Sequence, residues 1–567
     1  MNINDKYLLS EVIGFCGEFD KDKDKFSRFR HPLDSDVKAK LEELRRPLDD
    51  SNPELSYVLC DDLDSLWSSL IEKSIMCLRY FDKREPFREN ERVPFVYGLE
   101  ELEGYHKKYI DFEGELYGSD THYRDHVFHV IRVWLLGVFL LLNRNTKITG
   151  DGERLIDSIH FEGEPSNEVG EDVKKKFEKK QSEKKIETGE IFCSGGVSYK
   201  VINKDGQDTL AGLNCFSEEI NEYEKISMWT IMALCHDLGY PLEKSKKVLE
   251  KTEKMMEFFV AQPNINGNIR FDGTRDSNNK DIILFASKKM KAKKTKKGKK
   301  PQYKASIQEK YKLKYMLSLE SFMHGVISSI IIYKMLIYFK EADNNSDANY
   351  IFGEEDARQF YIRRDILRAM ASHTCRDIYH IDVATFPMLL FVCDELQEWG
   401  RKSWKDMYKG ASNKFRSLSI DSYNCNKISY IENVNMEKAR RDELVGNIKR
   451  VLEHQYLLYQ TTFRDGQDTS KRKFDFAKRM EFEINKKYRS VEKITIEFEI
   501  NHDKEDKFWL SFVDSGDSGE DENETEQLKR EIKKCIDKYD DDKYGSVKCN
   551  VRSGENENET SFCGNYT

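Results

Sequence analysis

The stretch IMALCHDLGYPLEKS, residues 231–245, constrains the fold of this chain more than any other segment, because an apolar run ends there in two polar side chains. His236 and Asp237 follow the apolar residues directly. Gly239 and Pro241 come next, and both are residues that end helices. We therefore expect the His-Asp pair to lie at the end of a buried helix, at the rim of a helical bundle, where ions can enter.

Single His or Asp residues also interrupt other apolar segments, and they are His129 in HVIRVWLLG, His324 in HGVISSIIIY, His373 in RAMASHTCRD and Asp394 in LLFVCDELQEW. Each histidine alone would suit an ordinary core position. A carboxylate among Leu, Phe and Val is harder to explain, because its burial is unfavourable unless a cation or hydrogen-bond donors meet it. Four imidazoles and two carboxylates on separate helices would satisfy one another best around divalent metal ions, and Mn, Fe, Zn and Mg are the candidates.

The order His, His-Asp, His, His, Asp resembles that of the HD superfamily of metal-dependent phosphohydrolases, over about residues 121–402. The resemblance implies a four-ligand core of His129, His236, Asp237 and Asp394. It implies that His324 and His373 match the extra ligands of members that bind two metal ions. It also implies a mainly α fold with an HD-type helical bundle core, and hydrolysis of phosphate esters or anhydrides by water that divalent ions activate.

Further residues near these ligands are candidates for catalysis and substrate binding. Asp125 and His126 lie one helical turn before His129 and are candidate proton donors to the leaving group. The alternative for His126 is an ordinary histidine on a helix face. The residues that we expect to contact substrate are Arg124, Tyr240, Lys244, Arg376 and Arg401. Each basic member of this set could instead be a surface charge.

The substrate is predicted from the subfamily that the chain resembles most. Cyclic dinucleotide phosphodiesterases of the HD-GYP type carry Lys three residues after the dyad Asp, and triphosphohydrolases of the dGTPase type carry His there. Tyr240 departs from both patterns. Large insertions and an added C-terminal module resemble the dGTPase branch, which implies conversion of a deoxynucleoside triphosphate to nucleoside and triphosphate. The same branch implies a homo-oligomer, a nucleotide effector and, by analogy, anti-phage nucleotide depletion.

Three alternatives stay open from the sequence. One is a cyclic nucleotide or cyclic dinucleotide phosphodiesterase, which the predicted second metal keeps possible. Another is an HD-type nuclease or nucleic-acid-binding protein, since residues 288–300 form a lysine run that could follow a phosphate backbone. The simpler reading of that run is a solvated loop, and the net charge of −9 gives no general reason to bind nucleic acid. The third is a scaffold that senses a nucleotide without hydrolysing it.

We divide the chain into three regions. Residues 1–120 form a helical N-terminal region, and residues 121–424 form the core, with insertions near 150–222 and 262–310. Residues 425–567 alternate apolar and polar side chains in KITIEFEI and KFWLSFVD, which predicts a smaller α+β module with a mobile tail. Helices are expected near 435–460 and 524–540, and a hairpin near 192–205.

The location of the protein is predicted from what the sequence lacks. The apolar stretches 133–142 and 326–339 are too short or too interrupted to span a bilayer, so we expect buried helices and no membrane association. No secretory signal is evident at the N-terminus. The 12 cysteines contain no CxxC pair, which favours reduced thiols and a cytoplasmic protein.

Overall fold

The structure is a computed structural model, and the residues that it describes are 2–19, 30–50, 53–55, 60–84, 96–116, 125–161, 171–183, 188, 190–194, 197–204, 207–212, 216, 219–256, 277–293, 302–341, 350–375, 378, 382–397, 399, 416–436, 475–484, 493–500, 506–513, 530, 548–553 and 559–566. Within these residues the fold is mainly helical, as expected.

The elements follow one another in chain order. The first part of the chain forms β1 (Asn2–Ile3), α1 (Asp5–Phe19), α2 (Ser35–Arg45), α3 (Cys60–Tyr80) and α4 (Leu99–Leu116). The next part forms α5 (Asp125–Leu142), α6 (Thr146–Thr149), α7 (Leu155–Ser158), α8 (Glu171–Ser182), β2 (Ile191–Ser194), β3 (Val197–Lys204) and β4 (Gln207–Gly212). The middle of the chain forms α9 (Glu222–Cys235), α10 (Tyr240–Met256), α11 (Ser277–Ala286), β5 (Lys288–Lys293), β6 (Gln302–Ile307), α12 (Glu309–Glu320), α13 (His324–Met335), α14 (Glu354–Ser372) and α15 (Phe386–Leu396). The last strands are β7 (Arg416–Asn424), β8 (Lys427–Met436), β9 (Asp475–Ile484), β10 (Lys493–Ile500), β11 (Asp506–Val513), β12 (Lys548–Ser553) and β13 (Glu559–Tyr566).

The two most apolar segments are buried helices, as the sequence predicts. In α5, every described side chain from 126 to 142 is buried, and α9 packs closely beside it. Gly137 makes this approach possible, because a Cβ atom there would lie 1.9 Å from Cζ2 of Trp229. Among the described residues no single helix is long and apolar enough to cross a membrane, although α12 and α13 meet that test as a pair bent by 98°.

The N-terminal region shares the core of the following helices rather than forming a separate body. Trp67 on α3 donates from Nε1 to the carbonyl oxygen of Leu234 on α9 over 3.0 Å. Asp5, fully buried at the start of α1, accepts from Arg132 Nη2 at 2.8 Å and from Trp399 Nε1 at 2.9 Å. These bonds join the first residues of the chain to α5 and to the segment after α15. The expected boundary at residue 120 therefore does not separate two cores.

The strands of the last third extend back across the second expected boundary. One eight-stranded sheet has the order β1-β7-β8-β9-β10-β11-β13-β12, so its strands include the second and third residues of the chain. The boundary at 424/425 falls in the turn between the paired strands β7 and β8. Buried side chains of this hairpin, including Leu418 and Tyr430, belong to the main core. The hairpin packs on the helices because its apolar residues alternate and need that surface.

The end of the chain differs from the expected mobile tail. Residues Glu559–Tyr566 form β13, which pairs in antiparallel register with both β11 and β12. The edge of β11 offers backbone N–H and C=O groups for pairing. Because this pairing uses backbone groups, a segment with polar side chains can form it as well as an apolar segment can. Of the helices expected near 435–460 and 524–540, Asn435 and Met436 belong to strand β8 instead, Arg530 is helical, and the other residues lie outside the described part.

The two expected insertions contain more regular structure than the sequence indicates. In the first, β2, β3 and β4 form an antiparallel meander with α8, around a small core of Phe177, Phe192, Tyr199 and Val201. In the second, β5 and β6 pair with each other. The expectation of a solvated loop at 288–300 is wrong for residues 288–293, because Met290 anchors that strand in the core, and residues 294–300 lie outside the described part.

Candidate metal centre

The structure brings together all six residues that the sequence predicts as metal ligands. His236 and Asp237 directly follow α9, and His373 directly follows α14. His324 is the first residue of α13, Asp394 lies in the last turn of α15, and His129 lies inside α5. Five of the six thus occupy helix ends that meet at one place, while His129 approaches from the side of a helix.

One carboxylate oxygen of Asp237 faces the first pair of imidazoles. Its Oδ2 atom is 3.6 Å from Nε2 of His129 and 3.5 Å from Nε2 of His236. Asp394 faces the same two rings through Oδ1, at 2.9 Å from His129 Nε2 and 3.6 Å from His236 Nε2. Two imidazole nitrogens and two carboxylate oxygens therefore surround one point.

The other carboxylate oxygen of Asp237 faces a second pair of imidazoles, those of His324 and His373. Its Oδ1 atom is 3.1 Å from Nε2 of His324 and 3.8 Å from Nε2 of His373, and these two nitrogens are 3.2 Å apart. Asp237 therefore lies between the two imidazole pairs and presents one oxygen to each. A carboxylate in this position can bridge two cations.

Each of the four histidines is fixed through its other ring nitrogen. The partners of Nδ1 are the side chain of Gln397 for His129, the carbonyl oxygen of Ala233 for His236, Oε2 of Glu243 for His324 and the carbonyl oxygen of Met370 for His373. Because all four partners are acceptors, Nδ1 carries the proton in each ring. The Nε2 atoms then point to the cluster, which is the arrangement that orients histidine ligands in metal sites.

Charges in the cluster keep both carboxylates ionised. Burial alone would raise the pKa of Asp237, but the charge of His236 and the close imidazoles of His324 and His373 hold it well below the ordinary value. The pKa of Asp394 is likewise lowered, since its hydrogen bond to His129 and the nearby charge of His236 outweigh burial. Burial lowers the pKa of His324, yet its bonds to Asp237 and Glu243 raise it to about 10. Ionised carboxylates at this depth need cations, which protons on imidazoles or metal ions can supply.

The donor set fits divalent metal ions. Within the described residues, two groups of side chains could each hold an ion, namely His129, His236 and Asp394, and His236, Asp237 and His373. The Nε2 atom of His236 is buried and makes no hydrogen bond in the described part of the chain, so it is a polar atom that a metal ion could satisfy. Imidazole with carboxylate and no thiolate suits Mn, Fe or Zn better than Mg, which prefers oxygen ligands.

His126 lies beside the cluster and has a carboxylate partner of its own. Its Nδ1 atom bonds to Oε1 of Glu113 on α4, and both side chains are buried. Its ring centroid is 4.1 Å from that of Tyr240 and 6.5 Å from that of His129. The Glu113 carboxylate directs Nε2 of His126 away from α4, and Tyr240 covers one face of the ring.

The remaining candidates are described only in part. Tyr240 is partly exposed, and its ring centroid is 6.0 Å from that of His324, so Tyr240 lies beside the second pair of imidazoles. Nζ of Lys244 is 5.9 Å from the centroid of the Tyr240 ring. Asp125 begins α5, but its side chain is outside the described part. The other residues outside it are Arg124, Arg376 and Arg401.

Sequence reasoning missed three residues that orient side chains of the site: Gln397 and Glu243 hold metal ligands, and Glu113 holds His126. Gln397 lies three residues after Asp394, a spacing that puts both on one helix face, and this signal could have identified it. Glu243 accepts hydrogen bonds from Nδ1 of His324 and from its backbone N–H, the latter over 2.9 Å. Glu113 and Glu243 are two of many glutamates on amphipathic helices, and no feature of the sequence distinguishes them.

The turn after the dyad works differently from the expectation. Helix α9 does end at Cys235, but Pro241 lies in the first turn of α10 and so begins the next helix. Gly239 permits close packing on α13, because a Cβ atom there would lie 2.4 Å from the carbonyl oxygen of His324. Its N–H donates to Ser328 Oγ over 2.8 Å. The dyad and His324 are thus held together by this contact.

Comparisons with protein-family models, with curated proteins and with solved structures find no match for this chain.

Proposed function

We propose that this protein is a metal-dependent phosphohydrolase that acts on nucleotides. The observation that carries the proposal is the position of Asp237, whose two oxygens face two different pairs of imidazoles. A histidine cluster needed only for packing has no use for four rings that all direct Nε2 to two ionised carboxylates. Two divalent ions, Mn or Fe in preference to Mg with Zn possible, would satisfy every one of these ligand atoms.

The residues divide between two ions. His129, His236, Asp394 and Oδ2 of Asp237 would hold one, and His324, His373 and Oδ1 of Asp237 would hold the other. Bound ions supply water with a pKa lowered towards about 7 and neutralise charge on phosphoryl oxygens.

The residues of the chain itself position the substrate and move a proton. The side chains of Asp394 and His324 are 25% and 19% exposed, whereas those of His129 and His236 are at most 1% exposed, so substrate reaches the cluster from the side of Asp394 and His324. Lys244 and Tyr240 lie on that side, where the ammonium group can bind phosphate and the phenol ring can stack on a base or sugar. His126, oriented by Glu113, is placed to donate a proton to the leaving oxygen.

Among nucleotides, deoxynucleoside triphosphates are the leading substrates. The support is the order of the six residues, which resembles HD phosphohydrolases, together with the large insertions. A nucleotide effector, assembly of identical chains and a role in anti-phage nucleotide depletion belong to the same proposal. The alternative is a phosphodiesterase on cyclic nucleotides or cyclic dinucleotides, favoured by the second imidazole pair, because two adjacent ions suit in-line displacement at a phosphodiester.

The test combines metal content with product analysis. Purified protein should contain about two ions per chain by plasma mass spectrometry, and Asp237→Ala should contain almost none. Asp62→Ala, at an exposed position on α3, is the matched control and should keep both ions. With Mn added, the protein is incubated with deoxynucleoside triphosphates, cyclic nucleotides and cyclic dinucleotides. Inorganic triphosphate supports the leading reaction, and linear nucleotide from a cyclic substrate supports the alternative. Hydrolysis that is equal in wild type and Asp237→Ala would reject the site.

A further inference from the structure

A concentration of positive charge lies outside the metal centre, on the ribbon formed by β5 and β6. Residues that face each other across this antiparallel pair lie on the same side of it. One side carries Met290 and Tyr303, which are buried in the core. The opposite side carries Lys289, Lys291 and Lys304, and neither strand contains an acidic residue. The ribbon thus buries Met290 and Tyr303 on its inner side and carries a group of lysines on its outer side.

The outer side contains a pair that folding alone does not explain. Lys291 and Lys304 are direct cross-strand partners, and both are exposed. Like charges in this position destabilise a ribbon. In the part of the chain that the structure describes, no carboxylate lies within ion-pair distance of either ammonium group. A ligand that supplies negative charge would remove this repulsion.

Two buried arginines of α14 add charge at the base of the ribbon. Arg364 Nη1 and Arg368 Nη2 each lie 3.4 Å from the carbonyl oxygen of Lys288, the first residue of β5. Burial lowers the pKa of Lys289, and the charges of Lys291 and of both arginines lower it further. The positive field of α14 and that of the ribbon therefore overlap at Lys289.

Some negative charge is present, but it lies on the inner side. Asp365 bonds to the guanidinium of Arg364, and Asp281 lies near Lys288. Neither carboxylate compensates Lys291 or Lys304 on the outer side.

We propose that the outer side of the β5–β6 ribbon binds the phosphate backbone of a nucleic acid. Lys289 and Lys291 are two residues apart on one strand, which separates them by about 6.7 Å. A row of cations at regular spacing fits a polymer that carries one charge per nucleotide. Ser306 and Gln302 lie on the same side, and hydroxyl and amide groups are common donors to phosphate oxygens.

The same observations disfavour a membrane surface as the partner. Basic surfaces that bind lipid place apolar side chains beside the charges so that these enter the bilayer. Here Met290 and Tyr303, the large buried side chains of the ribbon, are on the inner side, away from the row of lysines.

The ribbon is attached to the helix that carries a proposed metal ligand. Arg368, which holds Lys288, precedes His373 by five residues, or about 7.5 Å along a helix axis. A strand bound on the ribbon would therefore lie near the helix end that enters the metal centre. The binding itself does not depend on the metal centre or on hydrolysis.

The test is a binding titration with fluorescein-labelled oligo(dT) of twenty nucleotides, followed by anisotropy at several salt concentrations. Wild type should bind, with an affinity that falls linearly on a log–log plot against salt. The double variant Lys291→Gln/Lys304→Gln should bind at least tenfold more weakly, and its salt slope should be smaller by about 1.4, since each single-strand phosphate contact contributes about 0.7. A duplex of the same length is titrated in parallel.

The control is Lys107→Gln/Lys108→Gln, which changes the net charge equally at exposed positions on α4 and should bind like wild type. Circular dichroism and metal content verify that both double variants fold. Absence of oligonucleotide binding by wild type at low salt would overturn the proposal, as would an equal slope in wild type and the ribbon variant. If the variant Lys291→Gln/Lys304→Gln lost binding to vesicles containing phosphatidylserine while its oligonucleotide binding stayed unchanged, the proposal would be overturned in favour of a membrane surface.

Discussion

Glu243 and His324 are joined by two bonds to a single carboxylate oxygen. Oε2 of Glu243 lies 2.7 Å from Nδ1 of His324 and accepts the backbone N–H of the same residue over 2.9 Å. The N–H at the first residue of α13 has no partner inside the helix, so Glu243 both caps α13 and orients the imidazole. The bonds to His324 and Lys247 outweigh burial and lower the pKa of Glu243 to about 2, so the carboxylate is ionised at every pH of interest.

Replacing this carboxylate should weaken one metal position and spare the other. In Glu243→Gln the charge that makes His324 a stronger ligand is lost, and partners of this kind change metal affinity by about 10- to 100-fold. We expect the metal content to fall from about two ions towards one after dialysis against a weak chelator, measured by plasma mass spectrometry. Glu250→Gln, an exposed residue on the same helix, should keep the wild-type content. Equal loss of both ions would contradict separate roles for the two imidazole pairs.

Asp237 and Asp394 should differ in their effect on metal binding. Only Asp237 faces both imidazole pairs, so Asp237→Asn should lose both ions, whereas Asp394→Asn should lose only the ion between His129 and His236. Hydrolysis should fall by about a thousandfold or more in both variants, which corresponds to about 4 kcal/mol. Metal content and steady-state rates of the two purified variants check this, and a normal ion count in Asp237→Asn would contradict the bridging position.

Much of this centre could be predicted because a buried polar residue is conspicuous in an apolar run. His236, Asp237 and Asp394 interrupt such runs, and the structure places them together. The sequence could not predict which carboxylate oxygen of Asp237 faces which pair of imidazoles, because this depends on how the helix ends meet in three dimensions. Glu113 and Glu243 were missed because their helices expose other glutamates, and only tertiary packing distinguishes the buried ones.

The strands show the same limit. Alternation of apolar and polar residues predicted β10 and β11, and β-branched residues around a Gly turn predicted the hairpin in the first insertion. It did not predict that Asn2 and Ile3 pair with β7, because a two-residue strand has no periodicity. The boundary expected at 424/425 falls in the turn between the paired strands β7 and β8. Composition changes only gradually along the chain, so it does not mark where this strand pair begins.

His126 and Glu113 should affect the rate without affecting the metal. If His126 donates a proton to the leaving oxygen, His126→Gln should lower kcat by about 10²- to 10⁴-fold with an unchanged metal content. Glu113→Gln should lower kcat less and shift the limb of the pH–rate profile that reports the acid, because it acts through the ring it orients. Glu101→Gln, exposed on the same helix, is the control. A p-nitrophenyl ester, whose leaving group needs no proton, should be hydrolysed almost normally by His126→Gln, and an equal loss on that ester would argue against proton donation.

Gly239→Ala should disturb the packing between the dyad turn and α13. The added Cβ atom would lie 2.4 Å from the carbonyl oxygen of His324 and 2.8 Å from Cβ of Ile327, both parts of a packed helix. We expect a loss of about 1–3 kcal/mol in the free energy of unfolding and weaker binding of the ion near His324. Gly14→Ala in α1, where nothing lies within 4 Å of the added atom, should be neutral or stabilising by up to about 1 kcal/mol. Thermal unfolding and metal content of the two variants test this, and equal midpoints would show that α13 can move away without cost.

His106 should make the stability of the protein depend on pH. Its ring stacks on Trp67 with centroids 4.1 Å apart, and burial lowers its pKa from 6.5 to about 4. Between these two values the unfolded chain binds a proton that the folded chain does not. The neutral ring therefore favours the folded state, and this contribution to the free energy of unfolding is complete above about pH 6.5. It is lost as the pH falls towards 4, by about 2 kcal/mol at pH 5. His106→Phe, which keeps an aromatic ring but cannot titrate, should lose less stability between pH 7.5 and pH 5 than wild type by about that amount. Urea midpoints followed by tryptophan fluorescence at both pH values measure the difference, and parallel losses in the two proteins would show that His106 is not the group that titrates.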